Sequence, residues 1–391
     1  MSQNLWRVGK AELDYIQQAI ENGLTGKFTS LFEEMFAQKF GVDYAIAMNS
    51  GTSALHSTLG ALGIAEGDEI IMPPLTFIAS AYATLYLGAV PVFADVDPDT
   101  FNISAAEIRK KITSKTKAII TVSLYGLPPD LEEISNIAKQ HNLLLIEDNA
   151  QCFLGKVNNR LAGTFGHASI FSLQRSKHLT TGDGGVVITN SAVVAEKIRK
   201  FADLGYAKLS AKPITNENFK ETLQHPAYKR HVMLGYNFRM PEVCAAMGVA
   251  QLEKLEELVE KRTKIASCYQ EVVQDCRWLV PQRIDPDKTH SWWTYAFRID
   301  ADKTSVSWEQ LRAQFRKNGG DRFYAAWSLS YLEPALENMS FPESNLRYER
   351  GLCTNAEKIQ PWLVQLKTNF EHLDYAKRQA EALNKTINDL Q

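Results

Sequence analysis

The stretch Phe171-Ser172-Leu173-Gln174-Arg175-Ser176-Lys177-His178-Leu179-Thr180-Thr181-Gly182-Asp183-Gly184-Gly185 sets one lysine between two apolar runs. Ala168 to Ser172 before it and Gly185 to Thr189 after it each read as a short strand, and the glycines between them supply a turn. A lysine in a loop is usually just solvated. Held between two ordered elements, its amine can instead be tuned, because burial and neighbouring cations lower its pKa and make it a nucleophile. His178 beside it has the chemistry of a base or metal ligand, yet the sequence shows no matching ligand cluster.

Upstream, short apolar runs at Tyr44 to Met48, Glu69 to Met72, Val90 to Phe93, Ala118 to Val122 and Leu143 to Glu147 alternate with helical patterns. That alternation predicts an α/β fold with a large, mostly parallel sheet covered by helices on both faces, in three layers. An N-terminal helix is expected over Ala11 to Asn22, with Leu13, Ile16 and Ile20 at helical spacing and Gly23 at its end. After Lys200 the alternation stops, and Leu204 to Gly235 forms a long segment carrying Lys208, Lys212, Lys229 and Arg230. From Pro241 the positions Val243, Met247, Ala250, Leu252, Leu255 and Leu258 predict one long helix. It would contain the boundary between a large domain, residues 1–250, and a smaller C-terminal α+β domain, residues 251–391. The latter would hold a strand at Thr294 to Ile299 and helices at Trp308 to Lys317 and Asp374 to Leu390.

With 391 residues, 45% hydrophobic and 23% charged, the chain reads as a globular protein with ample core. A formal net charge of −2 provides no global field to attract nucleic acid or anionic membrane, so a small-molecule partner is expected. The five cysteines (Cys152, Cys244, Cys268, Cys276 and Cys353) are far apart and read as free thiols, with no metal site. No apolar run reaches the ~18 residues that span a bilayer, and Met1 to Gly9 lacks the apolar centre of a signal peptide. A cytoplasmic location is the expectation.

Three more stretches carry candidate chemistry. Asn49-Ser50-Gly51-Thr52-Ser53-Ala54-Leu55 follows a strand and opens a helix, so its N–H groups can hold an anion; its hydroxyls can equally cap the helix. Phe77, in Pro73-Pro74-Leu75-Thr76-Phe77, can stack on a flat ring, although an aromatic there is more often core. Leu143-Leu144-Leu145-Ile146-Glu147-Asp148-Asn149-Ala150-Gln151 ends an apolar strand in two carboxylates, where charge needs a reason. Asp148 suits pairing with a protonated ring nitrogen, and Gln151 suits contact with the other side of such a ring.

In this order and spacing, these stretches resemble the fold-type I pyridoxal 5′-phosphate enzymes, and among them the sugar aminotransferases of the DegT/DnrJ/StrS family. Gly235-Tyr236-Asn237-Phe238-Arg239-Met240 adds to the likeness, which covers almost the whole chain. The resemblance implies that Lys177 carries the cofactor and shuttles protons, and that Asp148 keeps the pyridine nitrogen protonated. It further implies that Ser50, Gly51, Thr52 and Ser172 hold the phosphate, that Phe77 and Gln151 flank the ring, and that Asn237 reaches the phosphate of a neighbouring subunit in a homodimer with shared sites. The reaction implied is amino transfer, with glutamate as donor, to a keto sugar of the nucleotide-linked 3-keto or 4-keto type, for lipopolysaccharide, another surface glycan or a natural product. Acceptors without a nucleotide, including cyclitols, remain open, as does a non-catalytic cofactor-binding regulator. One subgroup of the family carries histidine in place of the lysine and dehydrates its sugar. Counting back from Gly182 puts Lys177, not His178, at that position. Asn318 to Trp327 departs from the family's pattern, which makes Arg322, Tyr324 and Trp327, together with Arg239, the candidate substrate contacts.

Overall fold

A computed structural model describes residues 6–212, 225–337, 339–341, 344 and 346–391. Part of Met1 to Gly9 and the middle of the long segment after Leu204 lie outside the described residues. Seven strands form the main sheet: β1 (Tyr44–Met48), β2 (Glu69–Met72), β3 (Val90–Phe93), β4 (Thr116–Val122), β5 (Leu144–Asp148), β6 (Ala168–Ser172) and β7 (Gly185–Thr189). Their order across the sheet is β1-β7-β6-β5-β4-β2-β3. The block β6-β5-β4-β2-β3 is parallel, with helical crossovers from β2 to β3, β3 to β4 and β4 to β5. β7 is antiparallel to both β6 and β1, so the sheet is mixed at this edge. Because β7 reverses the direction, β1 again runs with β6, and the C-terminal ends of β1, β2, β5 and β6 all fall on one side of the sheet.

The helices are α1 (Lys10–Glu21), α2 (Lys27–Phe40), α3 (Gly51–Ala61), α4 (Ala79–Leu85), α5 (Ala105–Lys111), α6 (Leu131–Gln140), α7 (Ala192–Ala202), α8 (Glu242–Glu253), α9 (Leu255–Val273), α10 (Trp308–Lys317), α11 (Thr354–Ile359) and α12 (Leu373–Leu390). On α2, Phe32, Phe36 and Phe40 recur every four residues and so share a face. All three are fully buried, and Phe36 meets Phe171 edge-on at 5.2 Å between centroids. Phe36→Ala should therefore cost about 3–5 kcal/mol in chemical denaturation, the range for deleting a buried aromatic ring.

One expectation fails locally. The long helix from Pro241 is two helices, because Lys254 leaves helical dihedrals at φ −114° and ψ 18°. Its ammonium pairs with the buried Glu12 at 2.6 Å and also donates to the Arg7 carbonyl at 2.6 Å. In α1 the helix is present, but the buried face carries Glu12 and Ala19, while Leu13 and Ile20 are 64% and 59% exposed. Burial of that carboxylate is compensated by Gln251 Nε2 at 2.8 Å as well as Lys254.

A second, antiparallel sheet of β8 (Leu279–Pro281), β9 (Thr294–Ile299), β10 (Tyr324–Ala325) and β11 (Leu363–Lys367) has the order β8-β9-β11-β10. α9, α10 and α12 close over it in a separate core that includes Ile265, Tyr269, Phe297, Phe315, Leu366 and Leu383. Among the described residues no helix is long and apolar enough to cross a membrane. All five cysteines are free.

Candidate active site

Successive side chains on a strand point to opposite faces, and this separates the two carboxylates at the end of β5. Glu147, fully buried, turns to a loop and accepts from Gly163 N at 2.6 Å and from Phe165 N and Gly166 N at 2.7 Å each. Those bonds oppose the rise in its pKa that burial causes. Glu147 is a structural clamp. Asp148, on the other face, accepts from Ala150 N at 3.0 Å and from Ser80 Oγ of α4 at 3.4 Å. Burial raises its pKa, and Ala150 N, the positive charge of Lys177 and Ser80 Oγ pull it down.

Lys177 is half-buried in the loop between β6 and β7. Desolvation is the largest influence on its amine and lowers the pKa to about 8, against the attraction of Asp148 and with the help of the Arg262 charge. His178 points elsewhere: it is buried, meets Phe153 at 5.4 Å, and its Nε2 lies 2.7 Å from the Ser291 carbonyl. Burial and the nearby cations keep it neutral. The histidine is thus core, and the lysine is the group that faces Asp148 electrostatically.

β7 brings the anion cradle together. Met48 of β1 and Ser172 of β6 are both paired with Gly185 in register, so the residues after Met48 pass close to Ser172. A Cβ on Gly185 would lie 2.2 Å from the Ser50 carbonyl oxygen, which only glycine avoids. A Cβ on Gly51 would lie 3.0 Å from Ser172 Cβ and 3.3 Å from Ser172 Oγ. Ser50 and Ser53 are spent as a reciprocal capping box on α3, so capping is the role of those two hydroxyls. Ser172 Oγ accepts from Gln174 N at 3.4 Å and donates to no other described group. The free N–H groups at Gly51 and Thr52, the close approach of Gly51 to Ser172 and the uncommitted Ser172 proton form a donor set suited to a phosphate.

Phe77 is 54% exposed, which overturns the core reading of it. It packs edge-on against Trp327 at 5.6 Å; Trp327 stacks on Trp293 at 6.1 Å and 28°; and Lys177 Nζ lies 4.6 Å from the Trp293 ring centroid. An aromatic wall therefore stands beside the lysine. Gln151 is buried nearby in the chain, with Oε1 accepting from Tyr125 N at 2.7 Å. The other candidates lie apart. Asn237 and Arg239, the latter ion-paired with Asp203, line an open cleft of about 530 Å³ with Thr29, Glu33 and Arg199. Arg322 lines a groove with Trp308, Arg312 and Arg316, and Tyr324 is exposed on the edge strand β10. No group of three or more His, Cys, Asp or Glu suited to a metal occurs among the described residues.

A family model, the DegT/DnrJ/EryC1/StrS aminotransferase family, matches residues 7–376. The chain belongs to this family. It is 38% identical over 285 residues to GDP-perosamine synthase of Escherichia coli O157:H7, covering 72% of this chain and 73% of that protein. The aminotransferase from Psychrobacter cryohalolentis superposes with a TM-score of 0.86 at 30% identity, over 98% of each chain. A GDP-4-keto-6-deoxymannose-3-dehydratase with a trapped PLP-glutamate geminal diamine superposes with a TM-score of 0.84 at 26% identity, over 96% of this chain and 98% of that one. The fold is fold-type I.

In this DegT/DnrJ/EryC1/StrS member, sequence reasoning missed Trp293, Arg7 and Arg262. The pair Trp292-Trp293 before a strand reads as core. Arg262 sits between Lys261 and Lys264 and reads as a solvated charge. One signal was available: Leu255, Leu258, Arg262, Ile265, Ala266 and Tyr269 form one buried stripe of α9, and Arg262 falls on it.

Proposed function

We propose that this chain transfers the amino group of glutamate to a nucleotide-linked keto sugar, with pyridoxal 5′-phosphate as cofactor. The observation that carries the reading is a desolvated Lys177 amine within electrostatic reach of the buried Asp148 carboxylate, on the side of the sheet where the Gly51–Ser172 cradle lies. When bound, the cofactor supplies an aldehyde to take up the amine and a ring that spreads the charge left when a C–H bond breaks. Gly51 and Thr52 N–H and Ser172 Oγ hold its phosphate. Asp148 holds a proton at the ring nitrogen. Phe77 would flank the ring, and the Gln151 amide, fixed through its Oε1 by Tyr125 N, would offer its Nε2 to it. Lys177 holds the cofactor and moves a proton at its Nζ. Trp293 and Trp327 offer a flat apolar wall for the sugar.

The GDP-sugar relatives favour a GDP-linked 4-keto-6-deoxy acceptor over a cyclitol. The fully buried, neutral His178 favours transfer over dehydration. Two copies would form a homodimer in which Asn237 enters the partner's site. This is supported by the exposed apolar Leu13, Ile20, Val232 and Leu234, the last 94% exposed, together with the exposed position of Asn237. The separate core around β9 and β11 supports dividing the chain near residue 250. A cytoplasmic place suits five free thiols and a nucleotide-sugar substrate.

The test is to supply purified protein with pyridoxal 5′-phosphate, glutamate and GDP-4-keto-6-deoxymannose, then follow 2-oxoglutarate and the sugar by mass spectrometry. One 2-oxoglutarate per amino sugar is expected. Water loss from the sugar without gain of nitrogen would establish a dehydratase instead, and binding without any turnover would favour the regulator.

A further inference from the structure

Two buried guanidinium groups grip the backbone that carries Lys177. Arg7, from the segment before α1, donates to the carbonyls of Arg175 and Lys177 and, at 2.9 Å, of His178. Arg262 of α9 donates to Ser176 O at 3.1 Å, Lys177 O at 3.0 Å, Trp293 O at 2.7 Å and Thr368 Oγ1 at 3.0 Å. Four consecutive carbonyls, from residue 175 to 178, thus end on two arginines. Ser176 O also accepts from Trp293 Nε1 at 3.0 Å, which ties the aromatic wall to the same loop.

Neither arginine has a carboxylate partner among the described residues. Burying two like, unpaired charges side by side is costly, since carbonyl dipoles replace only part of the lost hydration. Burial depresses the pKa of both, and the Arg7 charge lowers that of Arg262 further. A leucine at position 262 would continue the apolar stripe of α9 without that cost. The charge therefore has a use beyond packing.

We propose that Arg262 is a positioning residue for Lys177: it fixes the lysine loop to the Trp293 segment through three backbone carbonyls and brings an unpaired positive charge to the amine. The inference rests on the aminotransferase reading, in which that amine must be both placed and free of its proton. The charged and titratable groups around the amine are Asp148 from β5, Arg262 from α9, Arg7 from the N-terminal segment and His178 beside it. Of these, Asp148 favours the ammonium and Arg262 opposes it. Arg7 grips the loop without being among the influences on the amine, so it separates grip from charge.

The experiment follows attachment of pyridoxal 5′-phosphate to the full-length apoprotein as a function of pH. The amine condenses with the aldehyde and releases water, and hydride from borohydride then fixes the new carbon–nitrogen bond as a secondary amine, counted on the Lys177 peptide by mass spectrometry. For wild type the midpoint should lie near the depressed value of about 8. Arg262→Gln should move it upward, and a midpoint higher by one on the pH scale lowers attachment at pH 7 by about tenfold. Arg7→Gln should slow attachment several-fold at every pH with the midpoint unchanged. Arg262→Lys, which keeps the charge but cannot reach all its acceptors, should hold the midpoint and slow attachment.

A folded Arg262→Gln protein with the wild-type midpoint would overturn the proposal. If that variant does not fold, Arg262→Lys attaching cofactor at the wild-type rate would do so. Wild type that fails to attach cofactor at Lys177 at all would sink the aminotransferase reading itself, a separate result.

Discussion

Replacing Lys177 by alanine is expected to lower amine transfer by at least about 10⁴-fold, or about 5.5 kcal/mol in the barrier, because in the proposed mechanism one group both holds the cofactor and moves the proton. Lys177→Arg should be as inactive, since a guanidinium does not give up its proton. The pH dependence has a definite sign. The amine acts only unprotonated, and burial brings its pKa down from 10.5 to about 8. At pH 7 roughly a tenth of it is then neutral, about 300-fold more than for an ordinary lysine. Cofactor attachment should rise as pH passes upward through that value and flatten above it. Steady-state transfer with glutamate and a GDP-linked keto sugar, measured beside the reductive trapping assay, checks both statements. Activity of Lys177→Ala above a tenth of wild type would remove the residue from its role.

The fold was legible because its signals are local. Apolar runs of four or five residues marked all seven strands of the main sheet, including β6 and β7 on either side of the lysine. What sequence periodicity cannot carry is which face of an element meets what. α1 shows an apolar stripe that the chain leaves exposed, while its buried face holds a carboxylate satisfied by Gln251 and Lys254, over two hundred residues away. The site divides in the same way. Asp148, Gly51, Ser172 and Lys177 were readable because each ends or follows a strand at one side of the sheet. Glu147 and His178, their immediate neighbours, proved structural only once alternation and packing were visible. Trp293, Arg7 and Arg262 reach the lysine through tertiary contacts alone, and a long cationic side chain on a helix looks solvated until its carbonyl acceptors are seen.

Asp148→Asn should cost about 10²- to 10³-fold in transfer, the scale for removing one preorganised electrostatic partner of the reacting system. The amide is isosteric and uncharged; its Oδ1 can keep the bond from Ala150 N while its Nδ2 donates to Ser80 Oγ in the reversed sense, so the protein should stay folded. The diagnostic lies in the amine, not in the rate. Asp148 raises the Lys177 pKa while Arg262 lowers it. Removing the carboxylate must therefore move the attachment midpoint below about 8, opposite to the upward move expected for Arg262→Gln. A variant that merely loosened the site would hydrate the amine and move the midpoint upward in both cases, because desolvation is the largest influence holding it down. A downward move in Asp148→Asn cannot come from loosening, and an upward move in Arg262→Gln that is absent in Arg262→Lys assigns the other shift to the charge. The carboxylate itself adds a second signature. Burial raises its pKa, so wild-type activity should fall on acidification at a higher pH than an ordinary aspartate would set, and Asp148→Asn should lack that acid limb. An unchanged or raised midpoint in Asp148→Asn would show that the amine does not feel this carboxylate, and the site would have to be rebuilt around another acid.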